Sequence, residues 1–446
     1  MTNNNDKFAG LSQAQLDAYW MPYSANRQFK KDPRMIVSAE GRYYTSADGR
    51  QILDGLSGLW TCGAGHCHPK ITEAVSKQLG EIDYSPAFQF GYPKAFQLAH
   101  KVTELMPDGL NRVFFTDSGS ESVETALKIA RAYWRKKGMA SKTRFIGRSK
   151  GYHGVNFGGI SVGGIVGNRV LYGQGIEAAH IPHTMLAENR FVKGMPEEGA
   201  FLAEDLEAQI AIHDASNIAA VIVEPLAGSA GVIPPPKGYL QKLREICDKH
   251  NILLIFDEVI TGFGRMGSYT GAEEFGVTPD MLTVAKQLTN GVVPMGAVVA
   301  KQEIYDTFMA EGGKEHMLEL PHGYTYSGHP VACAAGLAAL DLLVEEQLVD
   351  RVQAAAPQFQ ELLHGLKGAK YVTDIRNYGL AGAITIESAP GDPALRPFEV
   401  MLKCWEKGFY VRAGGDTIQL GLPFTTEVQE MDDIINALGD SLAELD

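Results

Sequence analysis

Four polar groups stand at the ends of short apolar runs in this chain. Lys286 follows Met281-Leu282-Thr283-Val284-Ala285, Asp257 follows Ile252-Leu253-Leu254-Ile255-Phe256, Glu224 follows Ala220-Val221-Ile222-Val223, and Gly119-Ser120 lies just beyond Val113-Phe114-Phe115-Thr116. Runs of this kind, separated by helical patterns, read as buried parallel strands, and ligands in such sheets bind outside the strands' carboxyl ends. An amine, two carboxylates and an anion cradle would then converge in one crevice.

The elements that must position them are legible in outline. Phe115-Thr116-Asp117-Ser118-Gly119-Ser120-Glu121 joins a strand to a helix whose apolar positions Val123, Ala126, Leu127, Ala130 and Trp134 recur at helical spacing. Ser118 and Glu121 have capping-box spacing, and a small-residue turn at a helix N-terminus also suits a phosphate, so a plain cap and an anion site both remain open. From about 70 to 325 helix and buried strand alternate, the α/β signature. Residues 35 to 55 read as a meander with turns at Glu40-Gly41 and Asp48-Gly49. After Pro330 come helices over Val331–Gln347 and Val349–Leu366, strands at Tyr371–Ile375, Ala383–Glu387, Tyr410–Arg412 and Thr417–Leu420, and a last helix over Glu427–Leu445. A meander cannot bury a face alone. The two chain ends are therefore expected to form one smaller α+β domain on a larger α/β one.

Bulk properties narrow the function class. With 446 residues, 45% hydrophobic and 21% charged, the chain is long enough for two or three globular domains. A net charge of -13 without a Lys/Arg-rich run opposes nucleic acid. Met1-Thr2-Asn3-Asn4-Asn5-Asp6 shows no basic segment leading into an apolar one, and no run reaches membrane-span length, so a soluble, unexported protein is expected. Five scattered cysteines favour reduced thiols in the cytoplasm over a disulfide framework.

Two rival chemistries fail on spacing. Leu253-Leu254-Ile255-Phe256-Asp257-Glu258 resembles the magnesium-binding strand of P-loop ATPases, but G-x-x-x-x-G-K-[ST] is absent, and Gly158-Gly159-Ile160-Ser161-Val162-Gly163-Gly164 lacks the lysine. Cys62, His66, Cys67 and His68 invite a metal, yet no second ligand pair follows at zinc spacing, so none is expected. What needs a lysine, an aspartate and an anion cradle together is a different cofactor. A desolvated lysine amine can form a Schiff base with an aldehyde, an aspartate can hold a pyridine nitrogen protonated, and a helix terminus can take a phosphate. Those demands describe pyridoxal phosphate, whose ring is an electron sink.

Ser118-Gly119-Ser120-Glu121, Gly151-Tyr152-His153-Gly154, Glu224-Pro225, Asp257-Glu258-Val259-Ile260-Thr261-Gly262-Phe263-Gly264-Arg265, Lys286 and Tyr324-Thr325-Tyr326-Ser327-Gly328-His329-Pro330 follow one another in this order. With that spacing the chain resembles the class III, or ω-, aminotransferases of pyridoxal-phosphate fold type I over nearly its whole length, and within them the branch that uses pyruvate as acceptor. The resemblance implies an aspartate-aminotransferase-like α/β fold. Its large domain, residues 59–326, would carry a mostly parallel central sheet, and the smaller one would combine residues 1–58 with 327–446. It implies ping-pong transfer of an amino group from an ω-amino acid such as β-alanine, or a primary amine, to pyruvate, in a homodimer with shared active sites or a homotetramer. An aminomutase or decarboxylase on the same cofactor contacts, or a silent interaction protein on this scaffold, are the alternatives.

The resemblance also assigns residues. Lys286 would anchor the cofactor and move the substrate proton, and Asp257 would pair with the pyridine nitrogen. Tyr152 would stack on one ring face and Val259, taken to share Asp257's extended segment, would pack the other. Glu224 would lie close by, fixing a neighbouring donor. Gly119 and Ser120 would bind the phosphate, with Thr325 reaching it from the neighbouring subunit. Tyr410–Gln419 reads as a glycine-turn hairpin whose Arg412 would grip a substrate carboxylate, with Gln419 nearby. Trp60, Tyr23, Phe88 and Ala230 would line the substrate pocket. The chain departs from the family's commoner wording at Cys67-His68, and Ser120 stands where many relatives carry threonine.

Overall fold

Strand assignment follows the apolar runs closely in the computed structural model, which describes residues 6–446; the leader reading of residues 1–5 lies outside them. The meander forms β1 (Ile36–Glu40), β2 (Tyr43–Ser46) and β3 (Gln51–Asp54), paired antiparallel in sequence. The central sheet is built from β4 (Leu110–Thr116), β5 (Arg144–Arg148), β6 (Ala178–Ile181), β7 (Ile218–Val223), β8 (Leu253–Asp257), β9 (Met281–Val284) and β10 (Gly296–Lys301), in the order β4-β10-β9-β8-β7-β5-β6. Neighbours from β9 through β6 run parallel, and β10 is antiparallel to both β9 and β4.

The unbroken apolar runs reflect coverage on both faces. Along β8, Leu253 and Ile255 enter one core with Val123, Ala126, Leu127, Ala130 and Trp134 of the helix Gly119–Lys136. Leu254 and Phe256 enter the other, with Ala332, Ala335 and Leu340 of the helix Pro330–Glu345. This second helix packs on Pro69–Glu81, Pro93–Glu104 and the short turn Lys286–Thr289. The residues after β9 are thereby clamped from behind.

The C-terminal strands are β11 (Val372–Tyr378), β12 (Ala381–Ile386), β13 (Phe409–Tyr410), β14 (Arg412–Gly414) and β15 (Thr417–Gly421). The expected single strand over Tyr410–Arg412 is divided. Phe409 and Tyr410 pair in parallel with Leu53 and Asp54 of β3, whereas Arg412 pairs with Gln419 of β15, so the chain changes sheets across the buried Val411. A helix over Leu395–Glu406 has no counterpart in the sequence reading. Its approach, Pro390-Gly391-Asp392-Pro393, and Pro397 read as loop, but a proline in the first turn removes no intrahelical bond.

Candidate active site

β9 ends at Val284, and Lys286 opens the turn Lys286–Thr289 with φ 49°, a left-handed conformation that few side-chain-bearing residues adopt. Its side chain lines a cavity of about 310 Å³ with Gly119, Ser120, Tyr152, Glu224, Asp257 and Val259. Burial lowers its ammonium to about 8; Asp257 opposes that shift, and Arg412 and Arg265 add to it. A lysine held this way carries a substantial free-amine fraction near neutral pH.

Asp257 closes β8 and is buried with its oxygens engaged. His153 Nδ1 lies 2.8 Å from Oδ2, while Thr283 Oγ1 and Val259 N each donate to Oδ1 at 3.2 Å. The neighbouring Glu258 is turned away: it accepts from Ala272 N at 2.8 Å and from Thr261 Oγ1 at 2.8 Å, a structural role that removes it from any Asp-Glu metal pair. Val259 does not continue the strand. It lies in the turn beyond β8, so the period-two argument for its direction fails, and the turn rather than the pleat brings it to the cavity.

Glu224 is fully enclosed, and burial pushes its carboxyl up to about 6. Its Oε1 accepts from Tyr152 N at 2.9 Å and its Oε2 from Gly228 N at 3.1 Å. It thus fixes the backbone that presents Tyr152. Burial raises the Tyr152 phenol to about 12, with Tyr23 adding and Arg412 opposing.

The anion cradle forms as a capped helix start. Ser118 Oγ accepts from Glu121 N at 3.2 Å, and Glu121 Oε2 accepts from Asp117 N at 2.7 Å, one residue farther back than a standard capping box. The N–H groups of Gly119 and Ser120 have no intrahelical carbonyl to reach. A Cβ on Gly119 would lie 2.8 Å from Val259 Cγ1, and one on Gly154 (φ 88°) would lie 2.5 Å from Ser120 Oγ, so both glycines keep the cradle open.

Other sequence candidates are distributed more widely. Arg412 and Gln419 face each other across β14 and β15; among the described residues Arg412 makes no salt bridge, and Gln419 is buried with Nε2 donating to Ser229 O at 2.9 Å. Ala230 follows that serine and is partly exposed. Trp60 is buried behind the wall, against Gly421 and 5.5 Å from the Arg265 guanidinium, and its neighbour Thr61 lines the cavity in its place. Tyr23, Phe88 and Thr325 are exposed and outside the cavity lining of their own chain. Cys67 is exposed, and His68 lies 3.4 Å from Glu346. His153 received no role from sequence, although it adjoins Tyr152 in the Gly-Tyr-His-Gly segment.

An amine of lowered pKa, a buried carboxylate facing the same cavity, and an open helix start make up the donor set that pyridoxal phosphate requires, and the residues present fit it. The chain is similar to known proteins over nearly its whole length. The chain is 60% identical over 436 residues to the omega-amino acid--pyruvate aminotransferase of Pseudomonas putida, covering 97% of each, and 60% identical over 432 residues to the beta-alanine--pyruvate aminotransferase of Pseudomonas aeruginosa, covering 97% of this chain and 96% of that one. Its fold matches an amine transaminase from an uncultivated Pseudomonas species, solved with pyridoxal phosphate bound, with TM-score 0.89 and 37% identity over 96% of this chain and 98% of that one. The class III aminotransferase model matches residues 24–442, and the chain belongs to that family.

Proposed function

We propose that this protein is a pyridoxal-phosphate-dependent aminotransferase that moves an amino group from an ω-amino acid such as β-alanine, or from a primary amine, to pyruvate, giving alanine by a ping-pong route. The observation that carries the reading is Lys286 and Asp257 lining one cavity with the Gly119-Ser120 helix start. The two relatives at 60% identity, named for ω-amino acid or β-alanine and pyruvate, support this substrate pair.

In this reading Lys286, Asp257, Tyr152, Val259, Gly119 and Ser120 would hold the cofactor, which supplies an electron sink for the substrate carbon. Lys286 Nζ accepts the proton from that carbon and returns it, a task suited to an amine lowered to about 8. Asp257, kept in place by His153, provides a fixed negative charge. Arg412 receives the substrate carboxylate as a bidentate partner and swings aside for donors lacking one. Trp60 shapes the pocket from behind, through Thr61, and Phe88, Tyr23, Ala230 and Gln419 complete its donor side.

The assembly is a homodimer, with a homotetramer built on it as the alternative. Thr325 completes the partner's site, a role supported by its exposure and by the exposed aromatics Trp20, Phe90, Phe96 and Tyr326. The meander β1–β3 and the chain from Leu348 onward make the smaller domain, supported by the pairing of β3 with β13, whereas the helix Pro330–Glu345, expected in it, packs on helices of the larger one. Five free cysteines favour the cytoplasm.

The test is spectroscopic. β-Alanine added to the purified yellow enzyme should bleach the cofactor band, and pyruvate should then restore it with alanine formed. A spectrum unmoved by a range of amine donors would sink the reading.

A further inference from the structure

Between β3 and the helix Pro69–Glu81 the chain makes a turn whose backbone is unusual at four consecutive residues. Ser57 has φ 47°, Gly58 φ 68° and ψ -99°, Leu59 φ -128° and ψ 59°, and Trp60 φ 66°. Serine and tryptophan at positive φ persist only where surrounding contacts over-determine them.

Those contacts converge on Asp54, which is fully buried. Its Oδ1 accepts from Leu56 N at 2.9 Å, its Oδ2 accepts from Gly58 N at 2.6 Å, and the same Oδ2 meets His66 Nε2 at 2.7 Å. The His66 backbone is locked to Gly41 in both directions, and Tyr44 lies on its ring at 4.3 Å. Burial opposes the charge on His66, but the Asp54 and Cys62 contacts outweigh it and raise the imidazole to about 10.

What the turn delivers is the wall of the active cavity. Ser57 Oγ donates to Gly421 O at 2.7 Å, Trp60 packs on Gly421, and Thr61 lines the cavity next to Gly291. Beyond it, Gly63 N donates to Gln287 Oε1 at 2.7 Å and Ala64 N to Asn290 Oδ1 at 2.9 Å, on the turn opened by Lys286. Of the cofactor-holding residues, Gly119, Ser120, Tyr152 and Asp257 sit on other elements, and Lys286 meets this segment through the Gly63 and Ala64 bonds, beyond the Ser57–Thr61 turn itself.

We propose that the buried Asp54–His66 pair is a positioning device that holds the Ser57–Thr61 turn in its strained form and thereby sets the size of amine donor the cavity admits. This inference rests on the aminotransferase reading above. Losing either partner lets the turn relax and the Trp60–Thr61 wall yield, which opens the donor side and leaves the cofactor contacts in place.

Asp54→Asn and His66→Gln, the latter keeping a donor towards Asp54 without the charge, are compared with wild type as holoenzymes. Cofactor affinity is followed by absorbance, and kcat/KM is measured for β-alanine and for a bulky arylalkyl amine. The expected result is a shift of about tenfold or more in the ratio of the two kcat/KM values towards the arylalkyl amine, with cofactor affinity unchanged. An unchanged ratio in a variant that retains cofactor overturns the inference alone, as does loss of cofactor in both variants, which would make the pair a general folding element. A wild-type enzyme that transfers no amino group from either donor overturns the functional reading itself, and this inference with it.

Discussion

His153 Nδ1 and Asp257 Oδ2 lie 2.8 Å apart although 104 residues separate them, in a pair almost wholly sealed from water. Asp257 therefore never faces the cavity as an isolated buried carboxylate. His153→Ala removes one of its three hydrogen-bond partners, a loss of order 1–3 kcal/mol for a buried polar group. Cofactor affinity should fall about tenfold or more, measured by absorbance titration of cofactor-stripped enzyme. Unchanged affinity would show that Thr283 and Val259 hold the carboxylate unaided.

Lys286 sets a pH window. Only the free amine has a lone pair to react, so cofactor uptake by stripped enzyme should accelerate as pH rises through about 8 and then level off. The ordinary lysine value of 10.5 lies above this, so between about 8 and 10.5 the unfolded chain binds the extra proton. Stability of the stripped protein therefore gains from this group as pH rises across that window. Arg412→Ala should move the midpoint upward, since that guanidinium disfavours the ammonium. A midpoint near the ordinary lysine value would refute the assignment.

Gly119→Ala places a Cβ 2.8 Å from Val259 Cγ1. The two groups must separate, and the cradle opens away from the ring-binding wall. Overpacking of this kind costs roughly 1–3 kcal/mol, so phosphate-dependent cofactor affinity should drop about tenfold, while pyridoxal without its phosphate binds as weakly to wild type as to the variant. Ser120→Ala should cost less, because the backbone N–H groups remain.

Arg412→Ala should discriminate among donors. Loss of a bidentate guanidinium contact should lower kcat/KM for β-alanine by roughly tenfold to a hundredfold and leave a simple arylalkyl amine within about threefold. Equal losses on both would remove the carboxylate-gripping role.

Mixed subunits test the shared site. If Thr325 serves the partner's cofactor, a hybrid of Lys286→Ala and Thr325→Ala subunits contains one site with both residues intact. Activity should then reappear on mixing and reassembling two impaired variants. No recovery would place Thr325 in its own chain's service or in none.

Residues that act through near neighbours were readable from sequence. The Ser118–Glu121 cap, the apolar stripe from Val123 to Trp134, the fully buried β7, β8 and β9, and the chemistry at their ends all follow from spacing within one element. Local periodicity and capping are written over a few adjacent residues, and a doubly covered strand must be apolar throughout. The helix Leu395–Glu406 escaped this logic because its one proline, Pro397, is compatible with a first turn yet indistinguishable in sequence from loop.

Tertiary structure decided which distant groups share an atom. It brought His153 to Asp257, Glu224 to the Tyr152 backbone and His66 to Asp54, and it moved Val259 off the strand while keeping it at the cavity. It also put Trp60 behind the wall, with Thr61 at the front, through a turn whose positive φ values no local pattern announces. Such contacts depend on how sheets and loops pack, and their energies arise from burial and paired charge between segments far apart in the chain. The residue types were therefore visible from the sequence alone, but their partners appeared only when the chain had folded.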